Sequence, residues 1–328
     1  MLSTRFTTLV GCRLPFQQAP IGGLAQARLA SAVSAAGGLG TVVVTGAEPA
    51  RVAQRLDDAA SRSPGPIAAN FFLILCDRAT LSECVAAAAA RVRVVDFFYG
   101  EPDPALVALV HEHGALATWQ IGSREEALAA EAAGCDFISA QGIEAGGHVR
   151  GHIGLFPLLS EVLDAVHIPV LAAGGIGTGR GVAAALAAGA DGVRVGTRFV
   201  AAEEAEAHPR YIEALIASRA TDTLLADSFT VPCTGAPHRV LRASALAAQA
   251  FQGDVVAESY DPETSTTKPI RRLQKAAATR HVTGTIEAMP LWAGESVGSV
   301  RASQPAAAII DEMMSEAELL LRRFSPRS

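Results

Sequence analysis

The sequence lacks the patterns that mark several large classes of protein. No apolar run approaches the ~20 residues that a membrane-spanning helix needs. Lys plus Arg number 27 against 33 for Asp plus Glu, and no basic stripe is present that would follow nucleic-acid phosphates. The first residues carry no apolar signal segment with a small-residue cleavage site. We therefore expect a cytoplasmic globular protein that binds neither a membrane nor a nucleic acid.

Cysteine spacing excludes a zinc site and a disulfide framework. The five cysteines are scattered and odd in number, without a C-x-x-C pair or a Cys/His cluster: Cys12, Cys76, Cys84, Cys135 and Cys233. Reduced thiols in a cytoplasm fit this usage best. Neither Cys12 nor Cys233 lies in an activating motif, so a role as nucleophile is the weaker interpretation.

What the sequence does contain is a regular alternation of short apolar runs and alanine-rich helical windows. From Pro15 onward, this rhythm is typical of repeated βα units. We predict strands at 16–20, 41–45, 67–73, 93–98, 116–121, 136–141, 169–173 and 192–196. Predicted helices occupy 25–36, 48–61, 80–90, 104–113, 123–133, 155–166 and 179–188. Eight strands separated by helices predict a (β/α)8 TIM barrel of the α/β class.

A doubly wound dinucleotide-binding fold is the competing architecture, and its glycine fingerprint is missing. That fold requires G-x-G-x-x-G at the start of the helix that follows the first strand. Here IGGLAQ follows the first strand, and the later GGIGTGRG has Arg180 where a third glycine would follow Gly175 and Gly177. The barrel is therefore favoured.

The regular alternation stops beyond Val200. We predict a barrel core at 1–205, a mainly helical extension at 206–300 that covers the barrel mouth, and a C-terminal segment at 301–328 whose helix, near 305–323, packs on the barrel. Beyond Val200, 203–218 is predicted as a helix and SFTV at 228–231 as strand-like. A separate small domain at 210–300 is the alternative.

The stretch FISAQGIEAGGHVRGHIG at 137–154 is the strongest candidate for a site. A short buried strand ends at Gln141, and Gly146 and Gly147 allow the backbone to approach a flat ligand closely. His148 then presents an imidazole, the usual proton-transfer group near neutral pH. The alternative is that His148 and His152 are solvated loop histidines.

Two further strand ends have the composition of an anion site. PVLAAGGIGTGRG ends a strand in Gly174 and Gly175, and DGVRVGTRF ends the next strand in Gly196 and Thr197. Barrel enzymes commonly hold phosphate in the loops after the seventh and eighth strands. We therefore predict a phosphate site here, with tight βα turns as the alternative.

Amides, rather than carboxylates, follow several other strands. The polar residues at these ends are Gln17, Gln18, Asn70, Gln120 and Gln141. Because amides both donate and accept hydrogen bonds, they suit the edge of a heteroaromatic ring better than a metal ion. The strand ends together predict a cofactor with a ring and a phosphate, and no metal.

Seven segments together resemble the nitronate monooxygenase family. They are QQAPIGG near the start, AGGLG at 36–40, NFF at 70–72, GIEAGGHVRG at 142–151, PVLAAGGIGTG at 169–179, GADGVRVGTRF at 189–199 and WAGESVGSVR at 292–301. The resemblance implies a (β/α)8 barrel with non-covalent FMN that oxidises alkyl nitronates with O2 to carbonyl compounds and nitrite. It also implies that His148 is the catalytic histidine. The implied flavin contacts are Ala19, Pro20, Ile21, Gly22, Asn70, Gln141, Gly146, Gly147, Gly174, Gly175, Gly196 and Thr197, to which the strand-end argument adds Gln120.

The sequence departs from the family pattern at several places. The segment between Phe72 and Ala88 is short, Ile21-Gly22 stands where Met and a small residue are common, and Glu295 replaces a more usual glutamine and is expected to alter the cover of the pocket. These departures bear on the identity of the substrate more than on the binding of flavin.

Three functions stay open. They are a flavin oxidase that uses O2, an FMN- and NAD(P)H-dependent enoyl-acyl-carrier-protein reductase of the same barrel family, and a flavin-binding scaffold without turnover. Arg150 is a candidate for binding an anionic substrate and Trp119 for the pocket wall, with solvation and packing as the respective alternatives. The oligomeric state is open, and a homodimer is one assembly we consider.

Overall fold

Each predicted apolar run forms a strand of one parallel sheet. The computed structural model of the protein describes residues 2–229, 231, 235–261 and 265–323. The strands are β1 (Phe16–Gln18), β2 (Gly40–Val43), β3 (Ile67–Phe72), β4 (Val94–Phe98), β5 (Leu116–Ile121), β6 (Phe137–Gln141), β7 (Gly147–His148), β8 (Val170–Ala173), β9 (Gly192–Val195), β10 (Thr223–Ala226), β11 (His238–Leu241), β12 (Val255–Asp261), β13 (Thr266–Arg271) and β14 (Val282–Gly284).

The eight barrel strands lie in the order β1-β9-β8-β6-β5-β4-β3-β2. The sheet closes because the residue before β2 pairs with β1. Leu39 N donates to Phe16 O at 2.9 Å, and Gln18 N donates to Leu39 O at 3.0 Å. The predicted (β/α)8 barrel is therefore confirmed, and the carboxyl ends of its strands meet at one mouth.

Helices surround the sheet where the sequence predicts them. They are α1 (Arg5–Val10), α2 (Ala27–Ala35), α3 (Pro49–Arg62), α4 (Leu81–Ala89), α5 (Pro104–Glu112), α6 (Arg124–Ala132), α7 (Leu155–Leu163), α8 (Gly179–Ala187), α9 (Thr197–Val200), α10 (Pro209–Ile216), α11 (Arg242–Ala250) and α12 (Ala306–Arg322). The C-terminal helix α12 packs against α8 and α2. It thus supplies the eighth helix of the ring, more than a hundred residues after the eighth strand.

The amino end of the barrel is closed by α1. Phe6 packs edge-on against Phe137 with 5.3 Å between ring centroids, and Cys12 is buried in the same small cluster. Burial raises the pKa of the Cys12 thiol to about 12. A thiol with so high a pKa is a poor nucleophile at neutral pH. Cys233 lies outside the described residues.

The extension differs in detail from its prediction. Residues 203–208 form no helix, and the helix begins only at Pro209, where the side chain of His208 caps it by accepting from Arg210 N. A strand is present at Thr223–Ala226, whereas Ser228 and Phe229 lie in a turn. Thr230 lies outside the described residues, and Val231 makes only an isolated bridge to Gln274.

Strands contribute more to the extension than we predicted. Beside α10 and α11, it forms the sheet β10-β11-β7, which borrows β7 from the barrel loop, and the separate sheet β13-β12-β14. The second sheet escaped prediction because it buries little: along β13 only Ile270 is buried. A strand without a buried face shows no alternation of apolar and polar residues.

A charged network fills the barrel interior below the mouth. The side chains of Arg194 and Asp96 are 1% and 0% exposed, and Arg194 Nη2 donates to Asp96 Oδ1 at 2.7 Å. The guanidinium also donates to Gln120 Oε1 at 2.8 Å and to Gln17 Oε1 at 3.1 Å. Asn70 Nδ2 donates to the second carboxylate oxygen at 2.7 Å. Both buried charges are thus paired and hydrogen-bonded, the condition under which such a pair is tolerated.

Removing one partner of this pair is expected to destabilise the barrel strongly. Arg194→Met leaves the Asp96 carboxylate buried without a counter-charge, which costs about 3–5 kcal/mol. Urea unfolding of the purified variant measures this loss. The double variant Arg194→Met/Asp96→Met removes both charges and should lose less than the sum of the single variants. Strictly additive losses would contradict the pairing.

Candidate active site

The mouth of the barrel contains a cavity of about 370 Å³. The flavin contacts implied by the resemblance all line it, as do Gln120 and His148, whereas the strand-end amides Gln17 and Gln18 do not. The predicted lining residues are Ala19, Pro20, Ile21, Gly22, Asn70, Gln120, Gln141, Gly146, Gly147, Gly174, Gly175, Gly196 and Thr197. Residues from separate strand ends are thus brought together around one space.

The two residues proposed for substrate contact lie outside the cavity lining. Trp119 is 1% exposed, stacks on Phe97 with 4.7 Å between ring centroids and donates from Nε1 to Gly100 O at 2.9 Å. Arg150 forms ion pairs with Glu126 and, at 2.7 Å, with Glu101. Trp119 therefore packs inside the barrel wall, and the charge of Arg150 is balanced by two carboxylates.

Backbone geometry sets the position of His148. The preceding Gly147 has φ +68, a left-handed conformation that favours glycine, and a Cβ added there would meet nothing within 4 Å. Gln141 holds the loop from the strand below, because its Nε2 donates to His148 O at 2.9 Å and its Oε1 accepts from Arg150 N at 3.3 Å. On the other side, β7 pairs with β11, which places His148 opposite His238.

His148 lies among rings and near a cation. Phe72 is 4.6 Å and Tyr99 is 5.9 Å from its ring centroid. Its Nε2 is buried and has no hydrogen-bond partner within the described residues. Burial lowers the pKa of His148 to about 2, with further lowering by the charge of Lys275 and by His238. The imidazole is therefore neutral at neutral pH, with one ring nitrogen unprotonated.

The amides of the strand ends are only partly engaged by the protein. Asn70 uses its Nδ2 on Asp96, and Gln120 uses its Oε1 on Arg194. Both residues line the cavity, which leaves the Asn70 oxygen and the Gln120 nitrogen to face it. One acceptor and one donor suit the edge of a heteroaromatic ring, as the sequence analysis predicted.

The loops after β8 and β9 form the opposite side of the cavity. Thr197 Oγ1 accepts from Gly294 N at 3.0 Å, so its hydroxyl hydrogen remains to be donated. In the described part of the chain, the N–H groups of Gly175 and Thr197 donate to no protein carbonyl. No carboxylate is among the lining residues that the structure describes. This side therefore presents donors to an anion.

The extension contributes lining residues that sequence reasoning missed: Lys275, Ala277, Trp292 and Ser296. Lys275 Nζ lies 4.8 Å from the centroid of the Phe72 ring. Its segment has no motif that would have identified it. Glu295, expected to alter the pocket cover, pairs with Arg239 at 3.2 Å and donates from its N–H to Glu144 O at 2.9 Å.

Within the residues given in the structure, no group of three or more His, Cys, Asp or Glu side chains is arranged to hold a metal ion. Over the same residues, no helix combines the length and the hydropathy that a bilayer crossing demands.

Comparison with known proteins agrees with this geometry. The profile of the family described as nitronate monooxygenase matches residues 3–316. The nitronate monooxygenase of Pseudomonas aeruginosa is 32% identical over 96% of this chain and 99% of its own length. The probable nitronate monooxygenase of Staphylococcus saprophyticus is 29% identical over 98% of this chain and 99% of its own length. The chain belongs to the nitronate monooxygenase family.

Solved structures that resemble this family member share the whole fold. The structure of FabK from Thermotoga maritima has a TM-score of 0.81 at 28% identity and covers 98% of both chains. The nitroalkane oxidase of Streptomyces ansochromogenes has a TM-score of 0.79 at 29% identity and covers 98% of this chain and 99% of its own. The resemblance stated from the sequence is thus confirmed at the level of family and fold.

The stability of this family member should depend on pH because of His148 and His238. Burial lowers the pKa of His238 to about 4 and that of His148 to about 2 from the ordinary value of 6.5. Their contribution to the free energy of unfolding is fully present above pH ~6.5. As the pH falls from ~6.5 toward the pKa of each ring in the folded protein, the unfolded chain binds protons that the folded protein does not. The free energy of unfolding then decreases by up to about 1.4 kcal/mol per pH unit for each ring. Urea unfolding between pH ~6.5 and ~4 measures this slope.

A double variant tests the assignment of the slope. His148→Phe/His238→Phe should flatten it in this window, whereas His152→Asn, at an exposed position outside the cavity, should leave it unchanged. An unchanged slope in the double variant would assign the pH dependence to other groups.

Proposed function

We propose that the protein is an FMN-dependent nitronate monooxygenase that oxidises alkyl nitronates with O2 to carbonyl compounds and nitrite. We include neutral nitroalkanes among the substrates, with His148 as the base that removes their α proton. The observation that carries the proposal is the neutral imidazole of His148 on the wall of a cavity formed by amides and glycine turns. The substrate and O2 are the proposed partners, while a cytoplasmic location and a homodimer stay predictions.

The lining residues fit FMN in both of its parts. Asn70 and Gln120 offer an acceptor and a donor to a ring edge, and Gly22 and Gly147 leave open space where a side chain would obstruct a flat ring. Gly174, Gly175, Gly196 and Thr197 would hold the phosphate. When bound, FMN supplies the electron transfer to O2, and the protein positions substrate and protons around it.

His148 performs the proton chemistry in this proposal. For a neutral nitroalkane, a ring nitrogen takes the α proton and the electron pair stays on the substrate as the nitronate. For a preformed nitronate, no proton is removed, and the imidazole binds or orients the anion. The aromatic neighbours Phe72 and Tyr99 pack against this ring.

Reduction of an enoyl thioester with NAD(P)H is the second candidate, because the sequence also resembles the enoyl-acyl-carrier-protein reductases of this barrel family. The two functions differ in the reductant that reaches the cofactor. A flavin-binding scaffold, the third function left open by the sequence, would bind FMN without reduction by either donor.

Anaerobic visible spectra distinguish these functions. The FMN-loaded protein should bleach on addition of propionate 3-nitronate, recover its absorbance in air and remain unchanged with NADH or NADPH. Bleaching by NAD(P)H alone, together with NAD(P)H consumption in the presence of an enoyl thioester, would replace the oxidase with the reductase. A protein that takes up no FMN would overturn the assignment of the strand ends.

Replacing His148 should separate proton removal from oxidation. His148→Gln is expected to retain FMN and to lower kcat/KM for a neutral nitroalkane by about 10²–10⁴, the usual contribution of general acid–base catalysis. Turnover of preformed nitronate should fall less, since no proton is abstracted. His152→Asn is the matched control. Equal losses on both substrates would remove the role of base from His148.

A further inference from the structure

Trp292 lines the cavity from the extension, and its indole N–H has no partner. The residue is 9% exposed, and its Nε1 is buried without a hydrogen-bond partner among the residues that the structure describes. An indole nitrogen can only donate, and a buried donor that stays unsatisfied lowers stability. The other tryptophan shows the usual arrangement, because Trp119 Nε1 donates to Gly100 O at 2.9 Å. The N–H of Trp292 therefore calls for a functional explanation.

Backbone pairing places Trp292 beside His148. Trp292 pairs with Val240 of β11, and His148 pairs with His238 of the same strand, both antiparallel. The backbone bonds that flank Trp292 run from Leu241 N to Leu291 O at 2.8 Å and from Ala293 N to Arg239 O at 3.3 Å. Because His238 and Val240 are two residues apart, they and their partners project from one face of the sheet. Trp292 and His148 are thus neighbours, separated by about 7 Å along the strand direction.

These two neighbours offer complementary groups to a ligand. Both side chains line the cavity, and each has a buried nitrogen without a partner within the described part of the chain, Nε1 of Trp292 and Nε2 of His148. In a nitroalkane, the α carbon that loses its proton is bonded directly to the nitro group. A base for that proton and a donor for a nitro oxygen are therefore needed side by side. The pairing on β11 supplies this arrangement.

The surrounding charges favour an anion in the same space. Lys275 lines the cavity, and its Nζ lies 4.8 Å from the centroid of the Phe72 ring, which is itself 4.6 Å from the His148 ring. Among the lining residues that the structure describes, none is a carboxylate. A nitronate carries its negative charge on two oxygens. A hydrogen bond to such an oxygen is charge-assisted and is stronger than one between neutral groups.

We infer that the indole N–H of Trp292 donates a hydrogen bond to an oxygen of the nitro or nitronate group of the substrate. The inference rests on the proposed oxidation of nitronates. When His148 takes the α proton, the C–H electron pair forms a C=N bond and an N=O electron pair moves onto oxygen. The N–H of Trp292 stabilises the charge that collects there. A preformed nitronate is held by the same contact, so Trp292 is a catalytic residue that touches the substrate.

Nitrite is a suitable probe of this contact. It has two oxygens on one nitrogen and a single negative charge, and it is a product of the proposed reaction. Oxidised, FMN-loaded protein is titrated with sodium nitrite, with sodium chloride at equal ionic strength as reference, and flavin absorbance reports binding. Trp292→Phe keeps an aromatic ring and removes the N–H. We expect its Kd for nitrite to rise about 10–100-fold, as for loss of a hydrogen bond to a charged group, with FMN affinity unchanged.

Indole NMR observes the same contact in the unaltered protein. The chain has two tryptophans, so protein labelled with ¹⁵N at the indole nitrogen gives two N–H signals. Nitrite should shift the Trp292 signal downfield until binding saturates and leave the Trp119 signal in place. Trp119→Phe assigns the signals and serves as the control variant. Its missing N–H served Gly100 O outside the cavity lining, so its Kd for nitrite should equal that of the wild type.

The outcomes separate this contact from the proposed function. Wild-type affinity for nitrite in Trp292→Phe, an unshifted Trp292 signal, or no nitrite binding by the wild type would overturn the inference. Weaker FMN binding by Trp292→Phe with unchanged nitrite affinity would assign the N–H to the cofactor and also overturn it. The expected nitrite results in a protein that nitronate does not bleach would support the contact and reject the oxidase. If Trp292→Phe does not fold, the NMR titration decides.

Discussion

The buried ion pair between Arg194 and Asp96 is the constraint on which the rest of the structure depends. A guanidinium inside a barrel is tolerated only when several acceptors surround it, and here strands β1, β4, β5 and β9 each contribute to that network. The same contacts orient the amides of Gln120 and Asn70, which line the cavity above. The ion pair that holds the barrel interior together therefore also orients side chains that line the site.

The upper half of the site depends on a different kind of contact. The strand β7 belongs to a barrel loop, yet its sheet partner β11 comes from the extension. This pairing brings His238 behind His148, while Lys275 and Trp292 reach the cavity from other parts of the extension. The barrel supplies the glycine turns and amides of the cavity, and the extension supplies the charge of Lys275 near the histidine.

The sequence predicted the barrel and the cavity lining well because both leave local patterns. Buried parallel strands are continuous apolar runs, and strand ends that approach a ligand carry glycines and amides. Lys275 and His238 leave no such pattern, since their position depends on how distant segments pack. Likewise, the carboxylates that pair with Arg150 lie 24 and 49 residues away. The inward packing of Trp119 depends on side-chain direction at a strand end, which composition does not reveal.

The position of α12 bears on how the protein is made. Because the eighth helix follows the extension, the faces of α8 and α2 that it covers stay uncovered until α12 has left the ribosome. The ring of helices then closes across a long intervening segment, although the entropic cost of such a closure grows only slowly with length. Until that moment the nascent barrel exposes the kind of surface that chaperones bind. Completion of the core thus waits for α12, which follows the whole extension.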